Sequence, residues 1–469
     1  MIYNSITNNK KIFIVSIFLS VLAIKLNPFL WIGVILLIFL IAFQIYPTKN
    51  IILFFILDLL VVSSDISETL RIVLNTSALI FFIYIFIKNY GLQINLYPKL
   101  PTVIKGYISF TILIMVLSSL FSDNIQTGLN ETLRQIIFFV LWYILFTNLK
   151  EESDAYNYSY ILIAAGSIVA IIILYSFINS DISIYLLQTQ GIIHEGGNFK
   201  NVTAAGGIFA VTIPLSLVLL LLNYNDNKNL TYFFYAILFI QILGLFLTNS
   251  RSGLLAVFIS SSIILFILKK ETFKKFVLSV TISFIFFYFI LPSVSGLFAI
   301  YFRIDRVFEN IRYYLWSMSG RIIADNPIWG TGPGQFKNYM YNYIPVMLGS
   351  WEESEITWIY KNAGLGESHN FFLFRTAELG FGGLISSILL PVIFIYLCYK
   401  VMKQNFHSRK SYYLVVGIFS LGIGMLIRSF FESTGLLSHG WITRDLPFWI
   451  CFAVIIHFYV IRTEIIHKT

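Results

Sequence analysis

Uninterrupted apolar runs recur along the whole chain, many of them long enough to cross the roughly 30 Å of hydrocarbon in a bilayer. Nothing limits the fold more. In lipid the backbone N–H and C=O groups find no water, so a spanning segment must be a helix or one strand of a closed barrel. The run from Ile51 to Val62 lacks the in–out alternation of a barrel strand, which leaves helices. With 58% hydrophobic and only 12% charged residues, the chain has about half the charge fraction of a soluble domain. No signal-peptide cleavage site is evident near Ala23, so the first run is expected to stay as a membrane anchor. Cys398 and Cys451 both fall in apolar runs and offer neither a disulfide framework nor metal spacing.

The expected fold class is therefore all-α: a polytopic transmembrane helical protein of about 12–14 spans, with one long extracytoplasmic loop containing short helices. The runs place spans at 11–26, 28–47, 50–64, 70–87, 103–121, 132–149, 158–178, 202–222, 232–248, 252–268, 276–297, 370–399, 412–430 and 445–462. Lysine and arginine in short loops set orientation. The clusters Lys10/Lys11, Lys269/Lys270/Lys274/Lys275 and Lys400/Lys403/Arg409/Lys410 all become cytoplasmic when the N-terminus is cytoplasmic. Both termini are then inside, the expected location is the bacterial inner membrane, and residues 179–201 and about 298–369 form outer loops. The net charge of +9 reads as cytoplasmic lysine, not as a nucleic-acid surface.

A second asymmetry bears on function. On this topology the cytoplasmic side holds 16 Lys and 2 Arg, while the outer side holds 4 Lys (Lys25, Lys200, Lys337, Lys361) and 10 Arg. Orientation requires positive charge of either kind, so it does not account for arginine outside. Arginine presents a planar fork that grips phosphate or carboxylate bidentately. This pattern suits an outward-facing site for a phosphorylated ligand. The competing account is that most of these arginines pair with Asp and Glu in the same loops.

Three segments carry chemistry. Asn249-Ser250-Arg251-Ser252-Gly253 lies between two apolar runs and reads as an outer turn opening a helix. Asn249 or Ser250 can cap that helix, and an N-terminus with an arginine beside it suits phosphate; a capped turn with a snorkelling arginine is the plainer alternative. The second segment, Arg312 to Phe336, puts Arg312 and Trp316 on one helix face. Arg312 and Arg321 are about two and a half turns apart and face opposite ways unless the helix breaks, which Gly320 would allow. The glycine-rich stretch Gly330–Gly334 is a turn, since no parallel sheet surrounds it. The third segment is Glu367-Ser368-His369-Asn370, just ahead of a run containing Arg375, Glu378 and Gly380. His369 falls at the membrane–water boundary, where an imidazole can serve as general base or only hydrogen-bond. Glu367 and Glu378 are the candidates to orient it. His194 and His439, also on the outer side, have weaker surroundings.

Taken together these segments resemble the O-antigen ligase/polymerase family, which includes bacterial O-linked protein oligosaccharyltransferases. The resemblance covers about 198–385 and rests on Gly197-Asn198-Phe199, Ser250-Arg251, Arg312-x-x-x-Trp316, the run from Asp325 to Phe336, Ser368-His369-Asn370, and Glu378-Leu379-Gly380. It implies a division into N-terminal helices (1–197), a ligase-like core (198–385) and C-terminal helices (386–469). It further implies transfer of a glycan from an undecaprenyl-diphosphate carrier to an acceptor hydroxyl outside the inner membrane, without metal or cofactor. The acceptor would be a glycan, a lipid A core or a protein; membrane lipids surround the enzyme and nucleic acid has no part. Arg251, Arg312 and His369 match the family's functional positions, and Arg321 falls where many members carry arginine. On that resemblance, Arg251 and Arg312 would hold the diphosphate, with Arg321 a further candidate, and His369 would take the acceptor proton. A repeat-unit polymerase is the nearest alternative. A transporter, for example of inorganic carbon, should show paired halves with broken helices and ionisable groups near mid-membrane. A non-catalytic scaffold would tolerate substitution of Arg251 and His369.

Overall fold

The computed structural model describes residues 48–61, parts of 80–87, 100–180, 201–286, 311–343 and 366–466, with Gly196 and Phe199 and apart from single positions inside those ranges. The expected spans 11–26 and 28–47, nearly all of 70–87, residues 287–297 of the span expected at 276–297, His194, most of the outer loop 179–201, and residues 298–310 and 344–365 of the long outer loop lie outside the described residues.

Thirteen α-helices occur among the described residues, and no strand does. They are α1 Thr48–Val61, α2 Thr102–Leu120, α3 Ile125–Thr147, α4 Glu152–Asn179, α5 Val202–Asn223, α6 Lys228–Thr248, α7 Arg251–Leu268, α8 Lys270–Ile285, α9 Ile311–Asp325, α10 Phe336–Met340, α11 Phe371–Met402, α12 Arg409–Arg428 and α13 Ile442–Ile466. Nine of these, α2 to α7 and α11 to α13, are long and apolar enough to cross a membrane. The protein is thus an all-α polytopic membrane protein. The short helices α9 and α10 fall within the expected outer loop.

Several boundaries differ from those the apolar runs suggest, because caps and not hydropathy end a helix. The helix expected from residue 132 starts at Ile125, where Asn124 accepts from the Thr127 N–H at 3.0 Å. The next begins at Glu152, with the Asp154 carboxylate accepting from the Lys150 and Glu151 N–H groups. The described part of the expected third span, α1, has 14 residues and is about 21 Å long, short of a full crossing.

At the centre, α5 packs against α6, α7 and α12, and α7 lies along α12. Small residues permit the close approach: a Cβ added to Gly253 of α7 would stand 3.0 Å from the Gly206 carbonyl of α5. α11 joins this group to α2, α12 and α13. A buried cluster of Phe138, Trp142, Trp449 and Phe452 fastens α3 to α13, and the Trp142 indole donates to the Trp449 carbonyl at 2.7 Å.

One helix is broken. At Gly380 the backbone of α11 turns to φ 62°, a left-handed conformation that side chains with a Cβ disfavour. The break frees carbonyls that the chain after α9 fills. Thr331 N–H donates to the Ala377 carbonyl at 3.0 Å and Gly332 N–H to the Glu378 carbonyl at 2.9 Å. In return the Phe381 N–H donates to the Pro327 carbonyl at 2.8 Å. The glycine-rich turn is therefore a plug docked into a membrane helix.

Candidate active site

Four helix ends meet on one side of the bundle. α5, α7 and α11 begin there and α12 ends there. The ends are tied directly: Phe371 N–H donates to the Ser429 carbonyl at 2.8 Å, and Arg428 donates to the Thr203 carbonyl at 2.7 Å. Each starting helix carries the cap its sequence offers. Asn201 accepts from Thr203 N–H at 2.9 Å, Ser250 from Gly253 N–H at 3.3 Å, and Asn370 from Leu373 N–H at 3.0 Å. In the turn before α7, Ser250 is thus the cap, and Asn249 instead ends α6 in a left-handed conformation, φ 48°. Three N-termini on one side concentrate positive potential there.

Glu432, in the 429–441 segment between α12 and α13, is the centre of this arrangement. Its side chain is 1% exposed, and three groups converge on it. Arg312 Nη2 donates to Oε1 at 2.6 Å, Ser252 Oγ donates to the same oxygen at 3.1 Å, and His369 Nδ1 lies 3.1 Å from Oε2. Burial by itself would raise the Glu432 carboxyl. The hydrogen bond and charge of His369, and the charges of Arg312 and Arg428, outweigh it and bring the group down to about 2. Glu432 is therefore an acceptor only, which assigns the proton of the neutral His369 ring to Nδ1 and leaves Nε2 with the lone pair. His369 sits at φ 51°, left-handed backbone that histidine seldom adopts, immediately before the Asn370 cap.

Two of the three principal residues expected from the sequence thus share one carboxylate. The third, Arg251, is the first residue of α7, half-buried and adjacent to Ser252, which also reaches that carboxylate. Arg321 is placed differently: α9 runs unbroken through Gly320, and Arg321 is exposed about two and a half turns beyond Arg312. Trp316 does share the Arg312 face, its ring 6.5 Å from Phe431, next to Glu432.

The two carboxylates expected to orient His369 have other partners. Glu367 accepts from Arg444 at 3.1 Å. Glu378, about two and a half turns further along α11, bonds His439 Nε2 and accepts from the Phe336 N–H at 3.1 Å. The residue that sequence reasoning missed is Glu432. Its only signal was to be a carboxylate at the end of an apolar run, between Arg428 and Arg444. Other arginines follow the plainer account: Arg134 pairs with Glu131 at 2.7 Å. Among the described residues, no three His, Cys, Asp or Glu side chains converge as a metal site would require.

These features define a class: a multi-pass helical membrane protein with a charged, histidine-containing site where its helices end. Residues 236–388 match the model of the O-antigen ligase family, which supports an assignment to that family. The match supports a function of the O-antigen ligase or polymerase type in general, with a lipid-linked glycan donor and a glycan acceptor. No curated protein matches the chain at a significant level. The matched segment contains Arg251, Arg312 and His369 but ends before Glu432.

Proposed function

We propose that the protein transfers a glycan from an undecaprenyl-diphosphate carrier to an acceptor hydroxyl on the outer face of the inner membrane, without metal and with inversion at the anomeric carbon. The observation that carries this reading is the shared carboxylate: Glu432 orients a histidine with one hand and an arginine with the other. A base and an anion-binding group are then fixed relative to each other before substrate arrives.

Arg312 and Arg251 hold the diphosphate and stabilise the charge that grows on it as the sugar departs. His369 Nε2 takes the proton of the acceptor hydroxyl while the oxygen attacks from the side opposite the leaving group. The sugar–phosphate bond breaks, the new glycosidic bond forms, and the lipid diphosphate leaves with both electrons of the broken bond. Arg321, on the opposite face of the unbroken α9 and about two and a half turns from Arg312, is left out of this clamp. The energy comes from the donor's own diphosphate linkage. A ligase and a repeat-unit polymerase use this same chemistry and differ in the acceptor.

The test is transfer by the purified protein in detergent, from a lipid-diphosphate glycan to lipid A core, glycan and peptide acceptors in parallel. Transfer should proceed with a chelator present. No product with any acceptor overturns the reading, and inhibition by chelation that one divalent ion reverses overturns the metal-free mechanism.

A further inference from the structure

The first turns of α11 and the 429–441 segment are joined twice, with the roles exchanged. At the site, the residue just ahead of the α11 cap gives the histidine and the segment gives the carboxylate, as His369 and Glu432. Further along α11, the helix gives the carboxylate and the segment gives the histidine, as Glu378 and His439. Both side chains of this second pair are buried, at 1% and 5% exposure. His439, like His369, takes a left-handed backbone conformation, φ 49°.

Glu378 does more than pair. Its second oxygen accepts from Phe336 N–H, and its carbonyl accepts from Ser118 Oγ at 2.9 Å and from Gly332 N–H. One residue therefore links α11 to α2, to the plug and to the segment that carries Glu432. From Glu432 the segment runs through Gly435, at φ 106°, to Ser438 and His439. Asp445 of α13 accepts from Gly435 N–H and Ser438 N–H. A buried histidine–carboxylate pair is weak evidence for stability, because desolvation offsets most of its attraction. A role in placing another group accounts for the pair better than stability does.

We propose that Glu378 and His439 are positioning residues for His369: their pair holds the 429–441 segment against α11 and so sets how Glu432 meets the imidazole. The inference rests on the reading of His369 as the base. Productive geometry tolerates errors of only about 0.5 Å, and Glu432 has six residues of chain between it and His439. The charged groups facing His369 are Glu432 and Arg312, with Arg428 behind Glu432. Beside the second pair, Arg375 of α11 interacts with Glu378 and also with Asp445 of α13 and Tyr107 of α2.

The experiment compares His439→Leu, His439→Gln and Glu378→Gln with wild type in the full-length protein. Donor binding, transfer rate and the pH profile of transfer are measured in one detergent. His439→Leu should slow transfer about 10- to 100-fold while donor binding holds within about twofold. The ascending limb of the profile, the one that His369→Ala removes, should move to lower pH, because a poorly placed carboxylate supports an imidazolium less. His439→Gln keeps a donor for Glu378 and should recover most of the rate. If His439→Leu does not fold, Glu378→Gln against His439→Gln makes the same comparison. A slower variant whose pH limb stays in place, or a variant that transfers like wild type, overturns the positioning role alone. A wild-type profile without any limb that His369→Ala removes overturns the base and the positioning together.

Discussion

Glu432 serves two partners with one carboxylate, and that makes the roles of those partners separable. Under the proposed mechanism His369→Ala should slow transfer by roughly 10²–10⁴-fold, the usual contribution of a general base, and leave donor binding largely intact. Arg312→Ala should weaken donor binding and transfer together, since the diphosphate is present in both ground and transition states. Loss of donor binding in His369→Ala, with the fold intact, would place the histidine in the diphosphate site instead. Glu432 itself makes a prediction about pH. Its carboxyl titrates at about 2 in the folded protein against 4.5 ordinarily, so the stabilisation is fully present above about pH 4.5 and disappears as pH falls toward 2. Thermal unfolding in detergent should show wild type more stable than Glu432→Gln at neutral pH, with the gap closing between pH 4.5 and 2. A gap independent of pH across that window would mean that the carboxylate's charge contributes nothing. His369, Arg312 and Arg251 were legible in the sequence because each stands in a local pattern: a capped helix start, a helix-face pair, a polar cluster ahead of an apolar run. Glu432 was not, because its partners are 63, 120 and 180 residues away and no periodicity relates them.

Among the elements, α11 departs furthest from what its sequence suggests. An apolar run from 370 to 399 reads as one straight span, and the turn Gly330–Gly334 reads as a loop; neither shows that the loop enters the helix. The reason is that a freed carbonyl in a membrane helix must find a donor, and which donor it finds is a tertiary fact. Gly380→Ala should therefore be costly. It forces a Cβ into backbone at φ 62° and ψ −150°, which essentially only glycine adopts, at a cost of about 1–3 kcal/mol, and pushes that Cβ against the Ile328 carbonyl of the plug. Gly106→Ala in α2 is the control, since nothing lies within 4 Å of the added carbon. Comparable melting of the two variants in detergent would show that the break is not held by glycine. Helix existence was well marked by hydropathy; helix ends were not, as the early starts of α3 and α4 show. Caps such as Asn124 lie outside the apolar run and extend the helix past it.

For the whole molecule, the all-α multi-pass architecture followed from the apolar runs alone, since lipid leaves so few options for backbone. Orientation is the part that rests on charge alone: the lysine clusters are expected inside and the site is proposed to lie outside. A reporter fused after Thr469 should register the cytoplasm, and one inserted near Asn342 should register the opposite side. The reverse pattern would move the candidate site to the cytoplasmic face and end the case for an outer-face reaction. The docked plug also has a bearing on how the protein is made. Residues 327–332 leave the ribosome before α11, and they carry the N–H groups that the Ala377 and Glu378 carbonyls require. By the time the break in α11 is made, the residues that carry its donors have already been synthesised. The order of the chain thus spares the helix an interval with bare carbonyls in hydrocarbon, an interval that the reverse order, α11 first and plug second, would impose on every copy during insertion.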